Sequence, residues 1–588
     1  LADSNRTKRQ LLQQAVTRDG IIEGAELGSW GHSAKMHADT STFSATPLRS
    51  IRLGFTDSDE IELQASGVIV FVGPNNSGKT TVLSEIANAL SGGTWPRAKI
   101  VRDFEFIDFE PADVHRWLHD IAGEGKREPQ DDKVTLHALG KRKTTIVTMA
   151  GTLGSHSKEY IANSVLSWGT QLYSPEAIEP ILEPQDQGDL LSSFSSLVGR
   201  LFHDEALKHR VREIIAGGIG QYLVIDPSEN GKLTIRLAAA EPQVDERSLD
   251  RESLRILRSA SSLDQFSKGI RSFVAQIVAA SVHREPYYLV DEPDAYLHPP
   301  LARLAGRRMT EAVLKRKGFL AVATHSPDFI SGCLDATARV TIVRLAYKDG
   351  RSRGLQISSD TLAQILKDPR IRSSSFVSGL FHDGVVVTED DSDRVFYENI
   401  YGRLLRDKAT LPMLQFVNVN GKSAMAKVTG PLNKFGVPAV ALPDIDFLKA
   451  GGGEFEALLR AAGCSPSELI EMQRLRQSLR TQIASKDFKK RGVRAPGMVH
   501  PDTLYRLLQR VSQFGIFAPP FGELEQWLAQ YDIRGRKHDW VQNALARLGT
   551  EPSDPSYVVP AQDDVWKFIE DICDWVSARR SSFTDVSP

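Results

Sequence analysis

The chain has 588 residues, 41% hydrophobic and 25% charged, an ordinary composition for a globular protein of two to four domains. Its 72 Lys and Arg against 74 Asp and Glu exclude a uniformly basic nucleic-acid coat but leave room for a local basic groove. Cys333, Cys464 and Cys573 lie far apart with no CxxC pair, which excludes a sequence-evident zinc site or disulfide framework and favours a reducing cytoplasm.

Residues 1–47 are rich in Ser, Thr, His and Gly with little periodicity and predict a partly ordered extension. Arg6, Lys8 and Arg9 are followed by no apolar run and small-residue cleavage site, which reads against a signal peptide. No run approaches the ~20 apolar residues of a membrane span, so no membrane partner is expected. From Leu48 the pattern becomes β-like. Ile51-Arg52-Leu53 and Ile61-Glu62-Leu63, with Asp57-Ser58-Asp59 between them, predict an antiparallel hairpin.

Next comes the apolar strand Val68–Val72, the run Gly73-Pro74-Asn75-Asn76-Ser77-Gly78-Lys79-Thr80, and an amphipathic helix from Thr81 to Leu90. Strand, glycine-rich loop and helix together are the context a P-loop requires. Backbone N–H groups of Gly73, Asn75, Asn76, Ser77 and Gly78 can surround the phosphates of ATP. Lys79 can reach the β and γ phosphates, and Thr80 can hold Mg²⁺.

Residues from about 100 to 250 are mixed. A β-like piece at Thr144–Thr148, helical pieces near Ser192–Phe202 and Glu205–Ile215, and strands at Tyr222–Ile225 and Lys232–Leu237 predict an inserted subdomain. A helix follows at Gly269–Val282, where Ile270, Phe273, Val274, Ile277 and Val278 repeat with helical period. Then come a strand at Tyr287–Val290, a helix at Pro300–Lys315, and strands at Phe319–Ala323 and Val340–Leu345. Turn-rich residues 348–383 predict a boundary, giving one domain over 48–375 and a second over 376–588. The second opens as a βαβ series: strand Val385–Thr388, helix Ser392–Leu405, strand Gln415–Val419, helix Ser423–Lys434, strand Val437–Leu442. Residues 465–588 read as mainly helical.

Four features after the P-loop fall in the order of an ABC-type ATPase. The Tyr287–Val290 strand ends in Asp291, placed to bind Mg²⁺, and Glu292, placed to polarise a water as general base. Asp294 to His298 continue as a loop. His325, 34 residues after Asp291, ends the next strand, where an imidazole can sense the γ phosphate. Phe266-Ser267-Lys268-Gly269 sits at a helix start. Taken singly, Asp291-Glu292 also reads as a solvated strand end and Ser267 as an ordinary N-cap. The resemblance implies that Ser267 and Gly269 clamp ATP bound to another subunit, that the Asp294–His298 loop contacts it, and that the protein is a homodimer. No heptad run between Lys79 and Asp291 suggests a long coiled coil.

A second acidic group begins at Glu389, at the end of a strand, with Asp393 at the start of the following helix. Fifty-five residues after Glu389 comes Asp444, and Asp444-Ile445-Asp446 ends another strand. On neighbouring parallel strands these carboxylates converge at the sheet's C-terminal edge. Hard oxygen donors of this kind select Mg²⁺ or Mn²⁺ and suit phosphodiester cleavage.

This Glu plus Asp-x-Asp pattern resembles a TOPRIM domain. With the preceding head, the chain from about residue 48 resembles the OLD (overcoming lysogenization defect) ATPase–nucleases, a group that includes the ATPase–TOPRIM subunit of Gabija defence systems. Glu389, Ser392 and Asp393 match the family's Val-Glu-Gly-x-Ser/Thr-Asp, with Asp390 in place of the glycine. Gly421-Lys422-Ser423 resembles the family's Gly-Lys-Ser turn, and Phe521-Gly522-Glu523-Leu524-Glu525 a later Gly-x-Leu-Glu element, whose Glu525 could add a ligand. For a late catalytic lysine, Lys537 and Lys567 are candidates. The resemblance implies an α/β fold, an ABC-type P-loop head followed by a TOPRIM-like domain with helical additions. It also implies a cytoplasmic, metal-dependent nuclease regulated by ATP, acting on nucleic acid (DNA foremost) in bacterial anti-phage defence, as a homodimer or higher homo-oligomer, with room for a partner defence protein. Two other readings stand beside it: a non-cleaving ATPase scaffold or sensor with a degenerate TOPRIM that binds a partner effector, and a RecF-like DNA-repair ATPase, which leaves the second carboxylate group unexplained.

Overall fold

Val68, Val70 and Val72 point to one face of their strand and Ile69 and Phe71 to the other, and all five are buried. A strand apolar on both faces belongs in the middle of a sheet covered on both sides. The computed structural model places it there. It describes residues 46–581 apart from 57, 93–97, 108–112, 114–116, 119–120, 122–132, 137–143, 148–156, 188–195, 230, 349, 361, 363–376 and 450–451. Nearly all of the predicted extension, and the predicted boundary at 375, lie outside the described residues.

The central sheet has six strands in the order Arg351–Ile357, Val340–Lys348, Gly67–Val72, Phe319–Ala323, Tyr287–Asp291, Thr170–Tyr173. All neighbours are parallel except the outer pair, Val340–Lys348 with Arg351–Ile357. Helix Lys79–Leu90 packs Val82, Leu83 and Ile86 on one face with Ile69, Phe71 and Leu289. Helices Lys268–Val282, Pro299–Lys315 and Pro327–Ala336 cover the other, where Phe273, Ile277, Met309 and Phe329 meet Val70, Val290 and Val322. Each such side chain contributes about 1.5–3 kcal/mol on burial. The predicted hairpin forms as Leu48–Leu53 and Ile61–Gln64, and Val101–Phe106 joins it in an antiparallel sheet. The Leu48 N–H donates to the Tyr287 hydroxyl at 3.1 Å, tying this layer to the central sheet.

Two strands of the central sheet were not anticipated. Thr170–Tyr173 has four residues without alternation, yet it forms the sheet edge beside Tyr287–Asp291. Arg351–Ile357 reads as turn-rich (Arg351-Ser352-Arg353-Gly354) because an edge strand exposes one side to water and tolerates polar residues. Strands from the stretch 100–250 enter different sheets. Val101–Phe106 and Thr170–Tyr173 return to the head, and the separate part is a small sheet of Gln185–Asp186, Tyr222–Glu229, Lys232–Ala238 and Ser261–Ser262 with helices Leu197–His203 and Glu205–Ile219.

The second sheet is parallel, with Gly384–Thr388 between Leu414–Asn418 and Ala439–Leu442. Helices Asp391–Asp407, Lys422–Lys434 and Asp564–Ser581 pack around it. Arg344 joins the two sheets. Paired in register with Val72, immediately before the P-loop, it donates to the carbonyls of Leu380, His382 and Gly436 at 3.3, 3.2 and 2.7 Å. Among the described residues no helix is long and apolar enough to cross a membrane.

Candidate functional sites

The loop after Val72 turns through left-handed backbone at Gly73, Asn76 and Gly78, with φ of 143°, 61° and 94°. At Gly73 a Cβ would lie 2.2 Å from the Leu345 carbonyl oxygen, so this position accepts only glycine. The turn folds the loop over the buried Lys79, whose ammonium donates to the carbonyls of Gly73 at 3.0 Å and Pro74 at 2.9 Å. Burial lowers the Lys79 pKa, partly offset by the negative charges of Glu292 and Asp291. Asp291 reaches Thr80, and burial raises its pKa. Its Oδ1 is buried without a hydrogen-bond partner. An orphaned carboxylate oxygen beside a threonine hydroxyl is what a divalent cation bound with a nucleotide would satisfy, so these residues fit Mg²⁺ and ATP.

Glu292 follows with φ 45°, its N–H donating to the Ala323 carbonyl at 2.8 Å. The half-buried His325 has its pKa lowered by burial and Lys79, opposed by Glu292. Lys79, Thr80, Asp291, Glu292 and His325 are thus electrostatic neighbours at the C-terminal ends of adjacent strands. Thr324 donates to the Asp294 carboxylate and accepts from the Ser326 N–H, pinning the loop after Glu292 to the next strand.

Ser267 and Gly269 pack elsewhere. Ser267 N-caps its helix through the Ile270 N–H, and a Cβ on Gly269 would lie 2.5 Å from the Tyr296 carbonyl. The Lys268 ammonium sits 4.0 Å over the Tyr296 ring, and Gln276 donates to the Pro293 carbonyl at 2.6 Å. One helix therefore organises the Pro293–Tyr296 loop, and Tyr296 itself is 55% exposed.

In the second sheet, carboxylate oxygens of Glu389, Asp444 and Asp446 lie within 4.8 Å of one another. Glu389 ends the central strand, and Asp444 and Asp446 follow its parallel neighbour. Burial and then Asp444 push Glu389 up to about 7, and Asp444 itself is raised by burial. Asp393, a predicted ligand, lies outside the three-carboxylate group and is pushed up to about 8 by burial and the nearby Asp444 and Asp390. Acids packed this closely call for a cation between them. Two lysines supply positive charge: Lys422 pairs with Asp446, and the Lys489 ammonium lies 3.2 Å from Asp444 and 3.6 Å from Asp446. Three converging hard oxygen donors fit a divalent ion such as Mg²⁺ or Mn²⁺.

Asp390, standing for the family's glycine, has ordinary extended backbone (φ −133°) and accepts from the Ser392 and Asp393 N–H groups at 2.8 and 3.1 Å. It is a helix N-cap, so the departure strains nothing. Glu525 lies outside the three-carboxylate group and accepts from the Lys537 N–H at 2.8 Å. Lys567 pairs with Asp571 one helical turn away. Beside the acids, together with Lys422, stands Lys489, which sequence reasoning missed: it sits in a short basic run, Lys486 to Arg491, with no motif around it.

Residues 380–446 match the family model of the overcoming lysogenization defect protein-like TOPRIM domain. The Old nuclease of Escherichia phage P2 is 22% identical over 301 residues, 48% of this chain and 49% of that protein. The chain thus spans about half the length of the curated relative it matches. Similar solved structures include an SMC head bound to the C-winged helix domain of ScpA, 14% identical with a TM-score of 0.34 over 54% of this chain and 100% of that one. The SMC head domain from Thermotoga maritima is 14% identical with a TM-score of 0.29, over 53% and 100% of the two chains.

Proposed function

We propose that this chain, an ATPase–TOPRIM protein of the OLD family, is an ATP-regulated, divalent-metal-dependent nuclease acting in anti-phage defence. One observation carries the reading: a complete P-loop site and a separate cluster of Glu389, Asp444 and Asp446 stand at the strand ends of two sheets in one chain. In the head, Lys79 and the loop N–H groups hold the phosphates, Asp291 and Thr80 hold Mg²⁺, and Glu292 takes the proton of the attacking water. Ser267 and Gly269, beside the Pro293–Tyr296 loop, complete the site of a second copy, which makes the working unit a homodimer. In the other domain Glu389, Asp444 and Asp446 hold Mg²⁺ or Mn²⁺, which when bound would supply charge for phosphodiester hydrolysis. The division into a head over 48–375 and a TOPRIM domain with helical additions over 376–588 is part of this proposal.

The test is cleavage of plasmid DNA and of RNA by the purified chain with Mg²⁺ or Mn²⁺, with and without ATP, beside Asp444→Ala. The wild type should cleave, and the variant should lose cleavage by several orders of magnitude while retaining ATP hydrolysis. Cleavage by Asp444→Ala at the wild-type rate would remove the carboxylate cluster from the role assigned. The pairing of Lys422 and Lys489 with the same acids favours a second reading, a non-cleaving ATPase scaffold, which gains if the wild type cleaves neither polymer.

A further inference from the structure

The segment Lys486–Arg494 holds five Lys or Arg (Lys486, Lys489, Lys490, Arg491, Arg494) and one acid, Asp487, among nine residues, in a chain whose net charge is −2. Its helix, Lys486–Arg491, buries Phe488 and sends Lys489 to Asp444 and Asp446. Lys486 lies one helical turn before both Lys489 (i,i+3) and Lys490 (i,i+4), so it neighbours each of them on the helix surface. Lys486, Lys490, Arg491 and Arg494 are all exposed, and none forms an ion pair with another described residue. The Arg494 guanidinium lies 3.8 Å from the centroid of the Phe521 ring.

This segment is held in place. Gly492 (φ 50°) and Gly522 (φ 104°) let two stretches of backbone meet. A Cβ at Gly492 would lie 2.1 Å from the Pro520 oxygen, and one at Gly522 would lie 2.4 Å from the Lys490 carbonyl carbon. Val493 N–H donates to the Pro520 carbonyl at 2.9 Å. On the other side the Lys449 ammonium donates to the Ser485 carbonyl at 2.6 Å and lies over Phe488. A basic face fixed this way beside an acidic cluster is pre-organised for a polyanion that must approach the acids despite their charge.

We propose that Lys486–Arg494 is a contact surface for a nucleic-acid phosphate backbone: Lys486, Lys490 and Arg491 hold the strand outside, and Lys489 meets the phosphate that reaches Asp444 and Asp446. The proposal rests on the nuclease reading and adds to it where the substrate lies. Its test is equilibrium binding of the full chain to a labelled DNA duplex and a labelled single-stranded RNA, in EDTA so that cleavage plays no part, across a salt series. Neutralising three phosphate contacts in Lys486→Gln/Lys490→Gln/Arg491→Gln should weaken binding roughly 10-fold or more at low salt and flatten the log–log salt slope by about 2–3. Lys486→Arg/Lys490→Arg/Arg491→Lys keeps the charges and should keep the slope. Unchanged affinity and slope in the neutral variant, with a binding-competent wild type, overturn this surface while leaving the nuclease reading intact. Equal losses in both variants also overturn it, since charge is then not the cause. A wild type that binds neither polymer overturns the nuclease reading together with it.

Discussion

Glu292 combines two properties that an ordinary surface glutamate lacks: a left-handed backbone, φ 45°, and a place among the charges of Lys79, Asp291 and His325. Left-handed backbone at a non-glycine residue is costly and persists where the surroundings dictate it, here through the N–H bond to Ala323. Glu292→Gln keeps that backbone and the side-chain shape but removes the base. ATP turnover should fall by about 10²–10⁴-fold while nucleotide still binds, read by phosphate release and by retained labelled ATP. Wild-type turnover would strip Glu292 of its role. Residue-scale chemistry also settles Asp390. In sequence it is a departure from the family's glycine; in the structure it is an N-cap with two N–H donors, because the chain there is extended and needs no glycine.

At the scale of elements, the Phe521–Glu525 stretch resembles a family motif, yet its contribution is mechanical. Gly522 lets the backbone pass against Lys490, and Trp527, just beyond, donates to the buried Tyr397 hydroxyl at 2.9 Å. Gly522→Ala therefore meets both backbone strain and a steric clash with main-chain atoms. It should cost on the order of 1–3 kcal/mol and lower the melting temperature. Gly497 has a similarly positive φ, 86°, but open space around its missing Cβ, so Gly497→Ala should cost less. Differential scanning calorimetry of the two variants checks the order. Equal melting temperatures would mean that the Gly522 contact relaxes freely.

Across the whole molecule, the head and the second sheet are joined beside the P-loop. Arg344 pairs with the residue before the P-loop and donates to three carbonyls beside the second sheet, and the His325 ring lies 5.9 Å from that of Phe381. Three residues after Phe381 begins the strand Gly384–Thr388, which Glu389 follows. Under the proposed function, a change at the γ-phosphate position has a short, packed route to the carboxylates. Arg344→Met removes the donors while filling the space. Cleavage should lose its dependence on ATP, whereas ATP hydrolysis should persist, measured as cleavage rates with and without nucleotide. An unaltered ATP response would show that the coupling does not pass through Arg344.

What the sequence determined by itself is local. The P-loop, the paired acids after each apolar strand, and the helices with clear 3.6-residue periodicity are written in contiguous residues, because phosphate cradles and strand ends are made by neighbours in the chain. Tertiary structure decided the rest. Thr170–Tyr173 and Arg351–Ile357 are strands because a sheet edge receives them, and nothing in four or seven polar-leaning residues announces that. Lys489 reaches Asp444 and Asp446 although about forty residues of chain separate them. Glu525 leaves the cluster to cap a helix. Such pairings depend on how distant segments pack, and a lysine carries the same local signal whether it ends in water or beside a carboxylate.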